Sequence, residues 1–312
     1  MFGFHTLDST TEGLPAAAQV GLLGRGSLGI RSDAFALRYN MDMIAHRYQI
    51  DASRVSVLTA AVLLAFALTR VISTPYYSIN IPLAGIALTF SVNLNTAIAI
   101  LAAGMAATGV DWLLRAHPSL EPGETVEHWL LPMLTTLVIG VTLYTLPSGL
   151  IWWLGFGLGG ILLVVVFLAE YVTVEPSDTR YPIATAALTA LSFAIYLILA
   201  IALRSAGVRL FLLMPTLFLV GGLAALRTLH LRLNERWEFG WALGIALVGA
   251  QLAAALHYWP LTPVRFGLIL LGPAYALTGL AANLAEGNSF RRAFVEPAVM
   301  LSLLWGLVIW FR

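Results

Sequence analysis

Residues 76–95 alternate. Tyr77, Ile79, Ile81 and Leu83, then Ile86, Leu88, Phe90, Val92 and Leu94, are apolar, and Tyr76, Ser78, Asn80 and Pro82, then Ala87, Thr89, Ser91, Asn93 and Asn95, stand between them. A period of two is that of a strand with one buried face. With Ala84-Gly85 as a two-residue turn, Leu83 opposes Ile86, Ile81 opposes Leu88, Ile79 opposes Phe90 and Tyr77 opposes Val92. The apolar sets then share one face, and a slip of one residue destroys that match. Pro82 lacks a backbone N–H and marks an outer edge. Ala84 is the weak position, because the favoured hairpin turns want a positive φ there. The pattern predicts a β-hairpin over 76–95.

The rest of the chain reads as hydrophobic helix. Apolar runs fall near Val55–Ser73, Thr96–Leu114, Val126–Leu146, Gly149–Val172, Ile183–Leu203, Leu210–Leu226, Glu238–Tyr258, Val264–Leu284 and Ala293–Trp310. Each is long enough to cross about 30 Å of hydrocarbon at roughly 1.5 Å per residue. The fold class expected is an all-α polytopic membrane protein. It is a bundle of about nine transmembrane helices with one small extracytoplasmic β-hairpin between spans one and two. Residues 55–312 form the transmembrane domain and 1–54 a cytoplasmic N-terminal tail. Residues 1–32 have no sustained period and none of the features of a signal peptide, and read as a disordered tail. Over 33–50 a stripe of Leu37, Met41, Ile44 and Tyr48 is flanked by Arg38, Asp42 and Arg47. This is an amphipathic helix that lies on the membrane or folds onto the protein's own loops.

Arginine placement orients the chain. With the N-terminus inside, the inner segments hold Arg25, Arg31, Arg38, Arg47, Arg54, Arg115, Arg180, Arg227, Arg232, Arg236, Arg291 and Arg292. The outer segments hold Arg204, Arg209, Arg265 and Arg312. Counting 78–95 as a tenth span weakens that bias and puts Asn80, Pro82, Asn93 and Asn95 into lipid, where polar groups are expensive. The localisation expected is the inner (plasma) membrane, multi-pass, with the N-terminus cytoplasmic and the C-terminus extracytoplasmic. Trp112, Trp129, Tyr171, Tyr181, Trp237 and Trp241 then fall in the inner aromatic belt. Tyr144, Trp152, Trp153, Tyr258, Trp259 and Trp310 fall in the outer one.

Composition narrows the chemistry. Apolar residues make up 59% of 312 and charged residues 11%, against roughly 25% charged in soluble domains. A net charge of +1 with no dense basic patch argues against nucleic acid as a partner. The partners expected are the lipid bilayer and other membrane proteins. There is no cysteine, which removes disulfides and thiol catalysis. The 17 basic residues are all arginine, so lysine Schiff-base chemistry is excluded too. No metal or cofactor is expected: His128 and His257 are predicted on opposite sides and cannot share a haem.

Gly155 and Gly159 in one run, and Gly240 and Gly244 in another, have the small-xxx-small spacing of close-packed helices, with no lysine following to suggest a phosphate loop. Pro132, Pro215, Pro273 and Pro297 are candidate kinks. Ionisable residues gather at the ends of the runs. Asp111, Glu127, His128, Glu170 and Glu296 lie near the inner surface, and Arg70, Arg204, His257 and Arg265 near the outer one; Gln251 and Asn283 are the strongest polar groups between. Asp111 and Arg115 are four apart and can pair on one helix. The one constellation with catalytic potential is Asp111, Glu127 and His128, which with Arg115 and His117 flank a loop holding Pro118 and Pro122. A carboxylate and a histidine near lipid headgroups could do acid–base work on a lipid; the competing reading is a network that holds the loop.

The stretch from Ile79 to Pro118, INIPLAGIALTFSVNLNTAIAILAAGMAATGVDWLLRAHP, resembles an uncharacterised family of bacterial multi-spanning membrane proteins. The resemblance implies the architecture and no activity. Three functions stay open. The favoured one is a non-enzymatic accessory or scaffold component. A transporter or channel for an apolar or weakly polar solute predicts helices broken at Pro215 and Pro273 around a common cavity. A lipid-active enzyme predicts that Asp111, Glu127 and His128 converge on a pocket open to the bilayer.

Overall fold

The computed structural model describes residues 51–71, 77–83, 86–92, 94–115, 125–233 and 236–310. The predicted tail over 1–32, the amphipathic helix over 33–50, the turn at Ala84-Gly85, His117, Pro118 and Pro122 lie outside the described residues. Nine helices run through the described residues: α1 Ala52–Val71, α2 Leu94–Leu114, α3 Leu130–Thr145, α4 Leu150–Val172, α5 Tyr181–Ser205, α6 Leu210–Arg232, α7 Phe239–His257, α8 Pro263–Ala285 and α9 Phe290–Trp310. A 3-10 turn, Val126–His128, leads into α3. Together with that turn, each helix is long and apolar enough to cross a membrane, which makes the chain a multi-pass helical membrane protein.

Between α1 and α2 lie two strands, β1 Tyr77–Leu83 and β2 Ile86–Val92. They pair antiparallel, from Tyr77 opposite Val92 to Leu83 opposite Ile86. The pairs Ile79–Phe90 and Ile81–Leu88 are the ones the alternation of apolar residues specifies. Pro82 stands opposite Ala87 within this two-stranded sheet, where both strands are edges and a missing donor is tolerated.

Apolar side chains pack in three groups. One joins α1, α2, α3 and α4, with Val62, Val110 and Leu163 fully buried. A second joins α3 through α8 around Ile195, Leu213 and Phe266. A third joins the neighbouring parts of α6, α7 and α8 through Leu229 and Ala282. The buried hydroxyls of Thr135, Thr136, Ser192 and Thr278 each donate to the carbonyl four residues back on their own helix. That local bond satisfies them without a partner helix.

Several predicted details change. Helix α6 continues six residues past Leu226 to Arg232. Pro215 and Pro273 sit inside unbroken α6 and α8, so the broken helices that a transporter reading requires are not formed. Pro132 falls in the first turn of α3, where its missing N–H has no intrahelical partner to lose. Gly155 and Gly159 do serve packing: a Cβ on them would stand 2.6 Å from Leu146 and 3.0 Å from Ile139. Gly240 and Gly244 pack against nothing among the described residues. Both are exposed, and a Cβ on either meets nothing within 4 Å.

The tightest helix approach is at Gly109 of α2, where a Cβ would run into the Leu58 side chain of α1. Gly109→Val is expected to destabilise the bundle by about 1–3 kcal/mol through overpacking. Gly157→Ala, which meets nothing within 4 Å, is expected to be neutral. Thermal unfolding of both variants in detergent checks the pair; equal midpoints for the two would refute the contact.

Candidate functional site

Three of the helix ends that hold acids and histidines converge on one buried network. Glu127 and His128 come from the 3-10 turn before α3, Glu170 from the last turn of α4, and Arg227 and His230 from the last turns of α6. The 3-10 turn matters locally. It puts the two adjacent residues at the mouth of α3, where the first N–H groups of the helix already tolerate polar neighbours. The six extra residues of α6 carry Arg227 and His230 back under the bundle rather than into a loop.

The geometry lays out a continuous chain of polar contacts. Arg227 donates from one terminal nitrogen to Glu170 Oε2 at 2.5 Å. His128 Nδ1 lies 2.7 Å from the same oxygen. A carboxylate can only accept, so the imidazole presents Nδ1–H to it. His128 Nε2 then faces Glu127 Oε1 at 3.4 Å, and His230 Nε2 donates to Glu127 Oε2 at 2.8 Å. The network thus runs from Arg227 to Glu170, His128, Glu127 and His230. His230 also stacks on Trp237, with ring centroids 4.1 Å apart.

Burial is nearly complete. The side chains of Glu170, Arg227, His230 and His128 are 0%, 1%, 2% and 5% exposed, and only Glu127 reaches 27%. Glu170 Oε1, Arg227 Nε and His230 Nδ1 have no hydrogen-bond partner among the described residues. Charges this deep are tolerable only when paired, and removing one partner leaves the other uncompensated.

Of the predicted residues, Glu127 and His128 join this network and Asp111 does not. Asp111 instead pairs with Arg115 at 2.7 Å, as the four-residue spacing predicts. It also accepts a hydrogen bond from Thr125 at 2.5 Å. Thr125 directly precedes the 3-10 turn, so Asp111 ties the approach to α3 onto the end of α2. Glu127 and His128 thus belong to one ionic network and Asp111 to a separate latch. The reason is that Glu170 and Arg227 satisfy His128 from inside. Sequence reading missed Arg227 and His230, because hydropathy ended that span at Leu226. The available signal was helical spacing: Arg227 and His230 are three apart and share a face. Among the described residues no group of three or more histidines and carboxylates is arranged to hold a metal.

Glu170→Leu is expected to destabilise the protein by about 3–5 kcal/mol, because it strands the Arg227 charge in the interior. Arg227→Met is expected to do the same to Glu170. The double variant should be far less unstable than the sum of the two, and closer to the parent. Unfolding of all four proteins in detergent measures the coupling, and simple additivity would show that the pair does not interact.

The chain matches none of the curated proteins and none of the solved structures. Over residues 72–311 it matches the family described as a protein of unknown function, DUF5656. That span takes in the hairpin and α2 through α9, and so includes every member of the buried network. The chain belongs to that family.

Proposed function

We propose that this protein is a non-enzymatic accessory or scaffold component of a membrane assembly, with its N-terminus cytoplasmic and its C-terminus extracytoplasmic. The observation that carries the reading is the outward face of α7. Gln251 is exposed there and makes no hydrogen bond among the described residues. It lies on the same stripe as the exposed, unpacked Gly240 and Gly244. In hydrocarbon an amide with no partner is unfavourable, and small residues in register let a second helix approach its backbone closely. A transmembrane helix of another membrane protein, offering a polar group to Gln251, suits that surface.

The burial of the acid–base residues supports the same reading. His128 and Glu170 hold each other and are closed off from a lipid substrate by α3, α4 and α6, which weighs against the enzyme. Gln251 faces out of the bundle and Pro215 and Pro273 leave their helices intact, which weighs against the transporter. The orientation rests on the arginine count, and it makes the end bearing Asp111, Glu170 and Arg227 the cytoplasmic one.

Two experiments test this. Purification from native membranes in mild detergent is expected to yield a stoichiometric companion protein, lost from Gly244→Leu and Gln251→Leu variants that still fold. A companion retained by both variants, or a second copy of the chain as the sole companion, would count against the reading. A reporter fused to the C-terminus is expected to signal from outside the cytoplasm. A cytoplasmic signal would reverse every assignment of side.

A further inference from the structure

The two ends of the bundle differ in charge in a way that the orientation rule does not address. At one end acids and bases are paired or clustered: Arg54 with Asp51, Arg115 with Asp111, Arg227 with Glu170, Arg232 near Glu296, and Arg236 near Glu238. All Asp and Glu side chains among the described residues are at that end or in its connections. The opposite end carries Arg70, Arg204, Arg209 and Arg265 and no acid at all, and the segment 72–94 that joins it contains no Asp or Glu either. Arg204 spends its charge on the backbone carbonyls of His257 and Trp259. Arg70 makes no such bond among the described residues. Its guanidinium lies over the Trp152 ring, 5.8 Å from the centroid, with no carboxylate to meet it.

Arg70 lines a cavity of about 230 Å³ between α1, α2, α3 and α4. Asn95, at the start of α2, lines it too, and its side chain makes no hydrogen bond among the described residues. A second cavity of about 150 Å³ shares Asn95 and Tyr144 as walls. Its remaining lining is chiefly apolar and includes Ile100 and Val141. Ile100 is 61% exposed, on the outer surface of α2. A cation and an amide donor therefore sit at the level of the helix ends, and a greasy furrow beside them faces the hydrocarbon.

We propose that this end of the bundle binds one anionic phospholipid. Its headgroup phosphate lies on Arg70 and Asn95, and an acyl chain lies along Ile100 and Val141. The planar guanidinium suits a phosphate because it can donate two parallel N–H bonds, and the amide adds a third. Tyr144 borders both cavities, at the depth where an amphipathic ring meets headgroups. A zwitterionic lipid offers the same chain and phosphate but also brings an ammonium to an end of the bundle that holds arginines and no acid to receive it. A free phosphate offers the charge without the chain. The inference goes beyond the accessory reading and does not depend on it.

The test uses the full-length protein, delipidated in a zwitterionic detergent and titrated with phosphatidylglycerol, phosphatidylcholine or glycerol phosphate, with bound mass followed by native mass spectrometry. One phosphatidylglycerol per chain is expected to be retained in preference to phosphatidylcholine, and millimolar glycerol phosphate is expected not to displace it. Arg70→Gln should weaken retention by about tenfold or more, the loss of one charge-assisted contact. Arg209→Gln, an exposed arginine at the same end, should leave it unchanged. If Arg70→Gln fails to fold, Asn95→Leu replaces it with the same expectation. Equal retention of both lipids, displacement by glycerol phosphate, or equal losses from the Arg70 and Arg209 variants would each overturn the proposal.

Discussion

The ion pair between Glu170 and Arg227 is the contact on which the arrangement of this bundle turns. Helices α1 to α4 share one packed group and α5 to α8 dominate the next. Glu170 sits on the boundary, with Ala169 facing one group and Tyr171 the other. The backbones of α4 and α6 have few close approaches of their own, so the carboxylate and the guanidinium supply what apolar packing does not. The net stability such a pair contributes is small, because desolvating two charges offsets most of their attraction. Its effect is selective instead. A bundle with α6 rotated would part Arg227 from Glu170 and leave two buried charges without their partners, at a cost the native arrangement avoids. His128 and Glu127 extend the same logic to α3, and His230 closes it on α6.

That network explains why the remaining polar chemistry sits where it does. Once Glu170, Arg227, His128, Glu127 and His230 hold one another, the buried charges of the acid-rich end are paired. Asp111 adds a separate tie, through Arg115 and Thr125, between the end of α2 and the approach to α3. Between the two ends the interior is Leu, Val, Ile, Phe and Ala, with hydroxyls turned onto their own helices. The acid-free end differs in that its arginines have no carboxylate at the same level to meet them. The contrast follows from where the acids fall in the sequence: at the start of α1, the end of α2, the start of α3, and in or beside the α4–α5, α6–α7 and α8–α9 connections, all of which antiparallel threading brings to one side.

Much of this is written in hydropathy and much is not. Nine long apolar runs translate into nine helices because a 20-residue run has one way to cross hydrocarbon with its backbone bonded. The alternation over 77–92 specifies pairs such as Ile79 with Phe90 because a period of two leaves a single register that matches the apolar positions. Asp111 with Arg115 follows from helix spacing. What hydropathy hides is the lateral arrangement. Arg227 and His230 read as a loop because an arginine lowers the window average, although a helix backbone continues through it to Arg232. That Glu127 meets His230 and not Asp111 depends on which helices are neighbours, and no local pattern encodes that. Gly155 and Gly240 have identical spacing partners, yet one packs against Leu146 and the other faces outward. The motif states that a close approach is permitted, not that it is made.

The last distinction is between exposed surfaces that mean lipid and those that mean something else. In a bilayer, burying a leucine against another helix removes it from a solvent as apolar as itself, so exposure of large apolar residues carries no penalty. Helix α9 is the clearest case. It is the least buried of the nine, and Phe294, Val295, Leu303 and Ile309 are all exposed. It rests chiefly on α8, where the missing side chain of Gly272 admits Leu301 and Trp305. Nothing on its outer face asks for a protein. Helix α7 differs at Gln251, whose amide makes no hydrogen bond among the described residues, whereas the exposed Ser302 hydroxyl of α9 donates back to Ala298 on its own helix. The α2–α3 furrow differs in a third way, because its apolar walls end at a cation. Three faces of one apolar bundle are therefore told apart by the polar group each carries: a self-satisfied hydroxyl on α9, an amide on α7 and a cation beside the α2–α3 furrow.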